Sequence, residues 1–215
     1  MHQTISTIRT HLSFSCLILA FTASMALGQS AFEKHNLHSV AVLPMFGDVL
    51  AETGRDLLAG DVATQLQKEF PKIKLKNVAD SIAALTQAGE LNDFGNFASL
   101  YAKTGVVDSD AASRIAKVLA VESVLFVNVQ EYLTQKGKWS RGKSSYNSVR
   151  AQCYLLNSAG QPIWRHLVAY VHDPHPWLSA KPDPIPEVMQ KVAERIVYAL
   201  SRNIENSDPK KDIKP

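Results

Sequence analysis

The chain has 215 residues, 46% of them hydrophobic and 20% charged, with 23 Lys and Arg against 20 Asp and Glu. That length suits one domain of ordinary size or two very small ones, and it is enough to bury roughly 70% of the unfolded chain's surface. A formal net charge of +3 is close to balance and excludes a strong sequence-wide field for nucleic acid.

The first predicted element is a secretory signal over residues 1–28. His2, Arg9 and His11 are its only basic residues, and it contains no acid. The apolar stretch LSFSCLILAFTASMAL follows, then Ala26-Leu27-Gly28, with small residues at the −3 and −1 positions before Gln29. Cleavage after Gly28 is expected, with cleavage after Ala26 as the alternative. The apolar run is shorter than the ~20 residues a membrane span needs. Cys16 sits near the start of that run, after Ser13-Phe14-Ser15, rather than at its end after small residues. A lipid anchor is therefore not expected, and the expected location is the periplasm. Losing Arg9 with the signal leaves 22 basic and 20 acidic residues, a formal charge of +2. Cys153 is then the one remaining cysteine, so no internal disulfide can form and stability must come from the core.

After an N-terminal segment over 29–37, residues 38–45 predict a strand. Val40, Ala41, Val42 and Leu43 form an uninterrupted apolar row, as in a central strand buried on both faces. A helix follows from about Glu52 to Phe70, with Leu58, Val62, Leu66 and Phe70 every fourth residue and Pro71 as its stop. KIKLKNV (Lys72–Val78) alternates Ile73, Leu75 and Asn77 against lysines, the pattern of a half-exposed edge strand that resists further pairing. Two short helices end at Gly89 and Gly105, and Asp108 caps a third whose Ala112, Ile115 and Leu119 share a face.

The strongest strand signals come next: Glu122–Leu133, Asn147–Asn157 and Pro162–His172. Ser158-Ala159-Gly160-Gln161 makes a tight turn between the last two, so that pair is an antiparallel hairpin. A closing helix carries Met189, Val192, Ala193, Ile196 and Leu200 as its buried stripe, with Asp183 as cap and Pro184 or Pro186 in the first turn. The tail over 204–215 is polar. The order β-α-β-α-α-α-β-β-β-α predicts one α/β domain over residues 38–203. Its mixed sheet starts with strands of parallel type, ends in a three-stranded antiparallel meander, and is flanked by helices.

Three stretches carry a resemblance: VAVLPMFG, YAKTGVVDSDAASRIAKVLAVESVLFVNVQEY and CYLLNSAGQPIWRH. They resemble the first strand and turn, the helix-then-strand core and the glycine-turn hairpin of one superfamily. That superfamily comprises the curli secretion component CsgG, the lipoprotein activators of penicillin-binding proteins, and the amino-terminal domain of TolB. The resemblance implies a TolB-N/CsgG-like fold, protein contacts in the cell envelope, and a ring or dimer. The chain departs from the family in having no usable lipobox, no Pro-rich tether and no amphipathic hairpins that could cross a membrane.

Several groups of residues are candidates for chemistry. The stretch LPMFGDVLAETGRD joins a strand to a helix through glycines, as phosphate loops do. However, six residues separate Gly47 from Gly54, Arg55-Asp56 follows instead of Lys-Ser/Thr, and Asp48 and Glu52 would repel phosphate. A strand-to-helix turn is the expected reading. His172, Asp173 and His175 are metal-ligand types, but they are crowded into four residues and broken by Pro174. A distant fourth ligand, such as His35 or His38, would be needed, so a proline-stiffened loop leaving the last strand is the expected reading and metal binding the alternative. Cys153 lies mid-strand among apolar neighbours, as a structural thiol does. No nucleophile–base motif appears, and neither an enzymatic activity nor a cofactor is expected.

Two surfaces point to partners. Lys136, Lys138, Arg141 and Lys143 surround Trp139 and Tyr146 in a loop without acids, which can meet anionic lipid, glycan or an acidic partner. A solvated hairpin end is the expected reading of that loop, and such a contact the alternative. The second surface is read from strand alternation: Trp164, His166, Tyr170 and His172 on the last strand, with Arg150, Gln152 and Tyr154 on its neighbour. If helices cover that face, these residues are core instead. The function expected is a non-enzymatic exported accessory protein of envelope assembly, secretion or cell-wall regulation, contacting envelope proteins or itself. The alternative is a periplasmic metal or small-ligand module using His172, Asp173 and His175.

Overall fold

The computed structural model describes residues 29–135, 146–172 and 184–205. The elements in chain order are α1 (Ala31–Lys34), β1 (Ser39–Val42), α2 (Glu52–Glu69), β2 (Lys74–Lys76), α3 (Val78–Gln87), α4 (Leu91–Thr104) and α5 (Ser109–Leu119). Then come β3 (Ser123–Gln135), β4 (Tyr146–Asn157), β5 (Pro162–His172) and α6 (Ile185–Ser201). The strands form one mixed sheet in the order β2-β1-β3-β4-β5. β1 runs parallel to both β2 and β3, while β3, β4 and β5 are an antiparallel meander. The single mixed α/β domain expected from the element order is the one observed.

Each strand alternates its side chains between two covered faces. Val40 and Val42 of β1 point toward one face, where they meet Leu125 and Val127 of β3 and the apolar stripes of α2 and α6. Ala41 and Leu43 point the other way and meet Val124 and Phe126 under α3, α4 and α5. The uninterrupted apolar row at β1 is thus the signature of a strand buried twice. The second face is built around aromatic rings: Phe126 packs edge-on against Phe97 at 5.1 Å and against Tyr101 at 5.0 Å.

Local signals set most helix ends. Asp108 accepts from the N–H groups of Asp110 and Ala111, capping α5. Gly105 at φ 69° ends α4. Asn77, expected to continue the edge strand, instead caps α3 by accepting from the Asp80 N–H at 2.9 Å. An Asn oxygen satisfies an orphan helix donor better than a three-residue edge strand can use it, so β2 stops at Lys76. At α6, Pro184 occupies the N-cap position and only Pro186 lies inside the first turn. Asp183 falls outside the described residues. The N-terminal segment is not separate from the fold: α1 is closed by a Ser30–Glu33 capping box and buries Phe32 in the core. The signal over 1–28 also lies outside the described residues. Among those described, no helix is long and apolar enough to cross a membrane.

Candidate contact surface

The glycine turn after β1 is used for packing. Phe46 donates its N–H to the Val127 carbonyl at 3.0 Å and accepts from Val129, extending the chain alongside β3. Gly47 follows at φ 124°, and a Cβ there would lie 2.0 Å from the Val129 carbonyl oxygen. Its own carbonyl accepts from the Arg55 guanidinium at 2.9 Å. Gly54 lets the first turn of α2 close on Leu50. Both glycines therefore serve strand–helix packing.

The predicted metal-ligand residues are only partly within reach. Asp173 and His175 lie outside the described residues, and of His172 the structure gives the strand pairing opposite Asn147. His38 stands at the start of β1, its N–H donating to Glu122 beside the first residues of β3. Ser123 pairs with Asn157 at the far end of β4 from Asn147. About ten strand positions at ~3.4 Å each therefore separate the level of His38 from that of His172. The sheet does not bring His35 or His38 to that strand end.

The strand-alternation surface is divided by the sheet. Cross-strand partners share a face, and the register places Leu155 opposite Trp164, Cys153 opposite His166 and Val149 opposite Tyr170. Trp164, His166 and Tyr170 thus lie on the α2–α6 face. Arg150, Gln152 and Tyr154 lie on the opposite face, across from Ala169, Leu167 and Arg165. Joining the two rows was one residue out of register, and a one-residue slip exchanges faces. The bulge after β5's first residues, between Leu155 and Leu156, fixes that register. Trp164 is 1% exposed, and its indole Nε1–H donates to the Ile204 carbonyl at 3.0 Å. Tyr170 is buried as well, so helices do cover this row. Cys153 lies beneath α6 with its thiol pKa pushed far up by burial, as befits a packing residue. Burial, and then the Tyr154 hydroxyl 3.3 Å away, likewise push the Tyr101 phenol well up.

Of the basic loop, Lys136, Lys138, Trp139, Arg141 and Lys143 lie outside the described residues. Tyr146 opens β4, half-buried and paired with Gln135.

What the sequence reading passed over lies along β5, the last strand of the sheet. No strand pairs with its outer side among the described residues. Val171 near its end is 60% exposed. Three arginines border this edge, and each lies over a tyrosine ring. Arg165 of β5 sits 5.5 Å from the Tyr154 centroid, Arg195 of α6 sits 5.0 Å from that of Tyr170, and Arg202 sits 5.8 Å from that of Tyr198. Arg195 Nη1 also donates to the Ala169 carbonyl of β5 at 3.0 Å. All three arginines are exposed, and none has a carboxylate partner among the described residues. The sequence did hold a signal for two of them: the buried stripe of α6 leaves Lys191, Arg195, Tyr198 and Arg202 at helical spacing on the other side.

No family model matches the chain, and no curated protein matches it. Several solved structures align with most of it. Lipoprotein GNA1162 from Neisseria meningitidis is 18% identical, with 74% of this chain and 98% of that one covered, at a TM-score of 0.48. The hypothetical protein CT253 from Chlamydia trachomatis is 13% identical, with 78% and 97% covered, at 0.48. A PelC dodecamer from Paraburkholderia phytofirmans is 12% identical, with 76% and 88% covered, at 0.45.

Proposed function

We propose that this chain is a non-enzymatic exported accessory protein that works through protein contacts in the cell envelope, in assembly, secretion or cell-wall regulation. The observation carrying that reading is the open edge of β5, where an eleven-residue strand ends the sheet and leaves Val171 exposed. Apart from the Ala169 carbonyl, which Arg195 already engages, such a long edge offers backbone donors and acceptors that another chain can complete. The resemblance at VAVLPMFG, the helix-then-strand core and the CYLLNSAGQPIWRH hairpin supports an envelope role, and the signal-like residues 1–28 support export. The inaccessible thiol of Cys153 is a poor nucleophile, which favours contact over catalysis.

A photoreactive amino acid placed at Val171 in cells tests this reading, with Thr64 on the exposed side of α2 as the control position. Adducts with envelope proteins or with a second copy are expected from Val171 and not from Thr64. A strictly monomeric protein by light scattering, together with no adduct from Val171, would overturn it.

A further inference from the structure

The β5 edge has a chemical character that narrows what can dock there. It is bordered on one face by Arg165 and on the other by Arg195 of α6 and Arg202, the residue that caps the end of α6. α6 runs antiparallel to β5: Arg195 meets Ala169, and Ile204, two residues past Arg202, meets Trp164. The cations therefore lie along the stretch of β5 between Trp164 and Ala169. Arg195 and Arg202 are seven residues apart, or about 10 Å along the helix. Side chains on one face of an added strand recur every ~7 Å. Each guanidinium is held over a tyrosine, which lowers the ordering cost of meeting a carboxylate.

Resting on the contact role proposed above, we propose that the outer edge of β5 binds an extended acidic segment of a partner protein by strand addition. Backbone hydrogen bonds to β5 hold the segment, while its carboxylates on alternate positions meet Arg195 and Arg202 on one face, and an acidic residue at an intervening position meets Arg165 on the other. A second copy of this chain fits the same edge poorly. An antiparallel pair of β5 strands about their midpoint would bring the arginine border of one copy against that of the other, and like charges at an interface are repulsive.

Fluorescence anisotropy with a labelled ten-residue Val–Glu alternating peptide and the signal-cleaved chain tests this. Binding is expected for Val–Glu and not for the Val–Lys counterpart. It should be lost when alternate peptide nitrogens are methylated, which removes the backbone donors. It should weaken by at least about tenfold in Arg195→Glu, on the face the glutamates meet, and by less in Arg165→Glu on the opposite face. Arg195→Gln, which removes the charge without reversing it, should fall in between, and unchanged thermal unfolding would confirm that each variant is folded. Equal binding of Val–Lys, indifference to N-methylation, or arginine-dependent binding to anionic vesicles without peptide binding would each overturn the proposal. So would a dimer in sedimentation that the peptide cannot displace. Adducts at Val171 that persist in the Arg→Glu variants would leave the contact role standing and sink only the acidic-strand proposal.

Discussion

The two edges of the sheet are opposites. β2 offers three residues, Lys-Leu-Lys, and its Lys76 ammonium is turned inward to donate to the Leu119 carbonyl at 2.7 Å. That bond also caps the C-terminal end of α5, where a cation is favoured by the helix dipole. β5 offers eleven residues with no lysine; of the cations that border it, Arg165 belongs to the strand and Arg195 and Arg202 lie beside it. A short edge carrying lysines discourages pairing, whereas a long edge flanked by held arginines selects a partner of opposite charge. Both edges belong to one sheet, so the difference lies in side chains and strand length and not in backbone architecture.

The largest effect on this contrast should come from removing what backs β5. Trp164→Ala opens a cavity under the strand and frees the Ile204 carbonyl; it should cost about 3–5 kcal/mol, read as a fall in Tm of roughly 10 °C or more. A loss under about 1 kcal/mol would mean that α6 does not depend on that anchor. A smaller change should unguard the other edge. Lys74→Val with Lys76→Val removes the α5 cap and the charge, costing about 1 kcal/mol and lowering Tm by about 2–4 °C. Sedimentation should then show concentration-dependent association; a variant that stays monomeric would contradict the guarding role.

The smallest effect separates edge chemistry from general electrostatics. Asp61 on α2 has its carboxyl held above the usual 3.8 by burial and, secondarily, by Glu194. The folded state therefore takes up that proton more readily than the unfolded chain. Ionised Asp61 weakens the fold above its folded value, and the penalty disappears as pH falls below 3.8. Asp61→Asn should raise Tm at pH 7 by about 1 °C, with the gain fading toward pH 4, and should leave peptide binding at β5 unchanged. A constant gain across that pH range would assign the effect to something other than ionisation.

Much of this was legible in the chain itself. The doubly buried β1, the capped α5, the glycine stop of α4 and the hairpin at Ser158–Gln161 all follow from short-range rules acting on a few neighbours. Asn77 was misplaced because strand alternation and helix capping compete for the same residue, and only the neighbouring elements decide between them. The contact residues were less legible. Arg195 and Arg202 are ordinary exposed positions until β5 is known to lie beside them.

The sequence alone determined the five strands and all the helices but the short α1, with Asn77 as a misplaced boundary, because periodicity and capping are local properties. Only the tertiary structure decided which face Trp164 and Tyr154 occupy, which strand ends the sheet, and which cations border it. Those depend on cross-strand register and on the packing of α6 against β5, and both join residues that are distant in the chain.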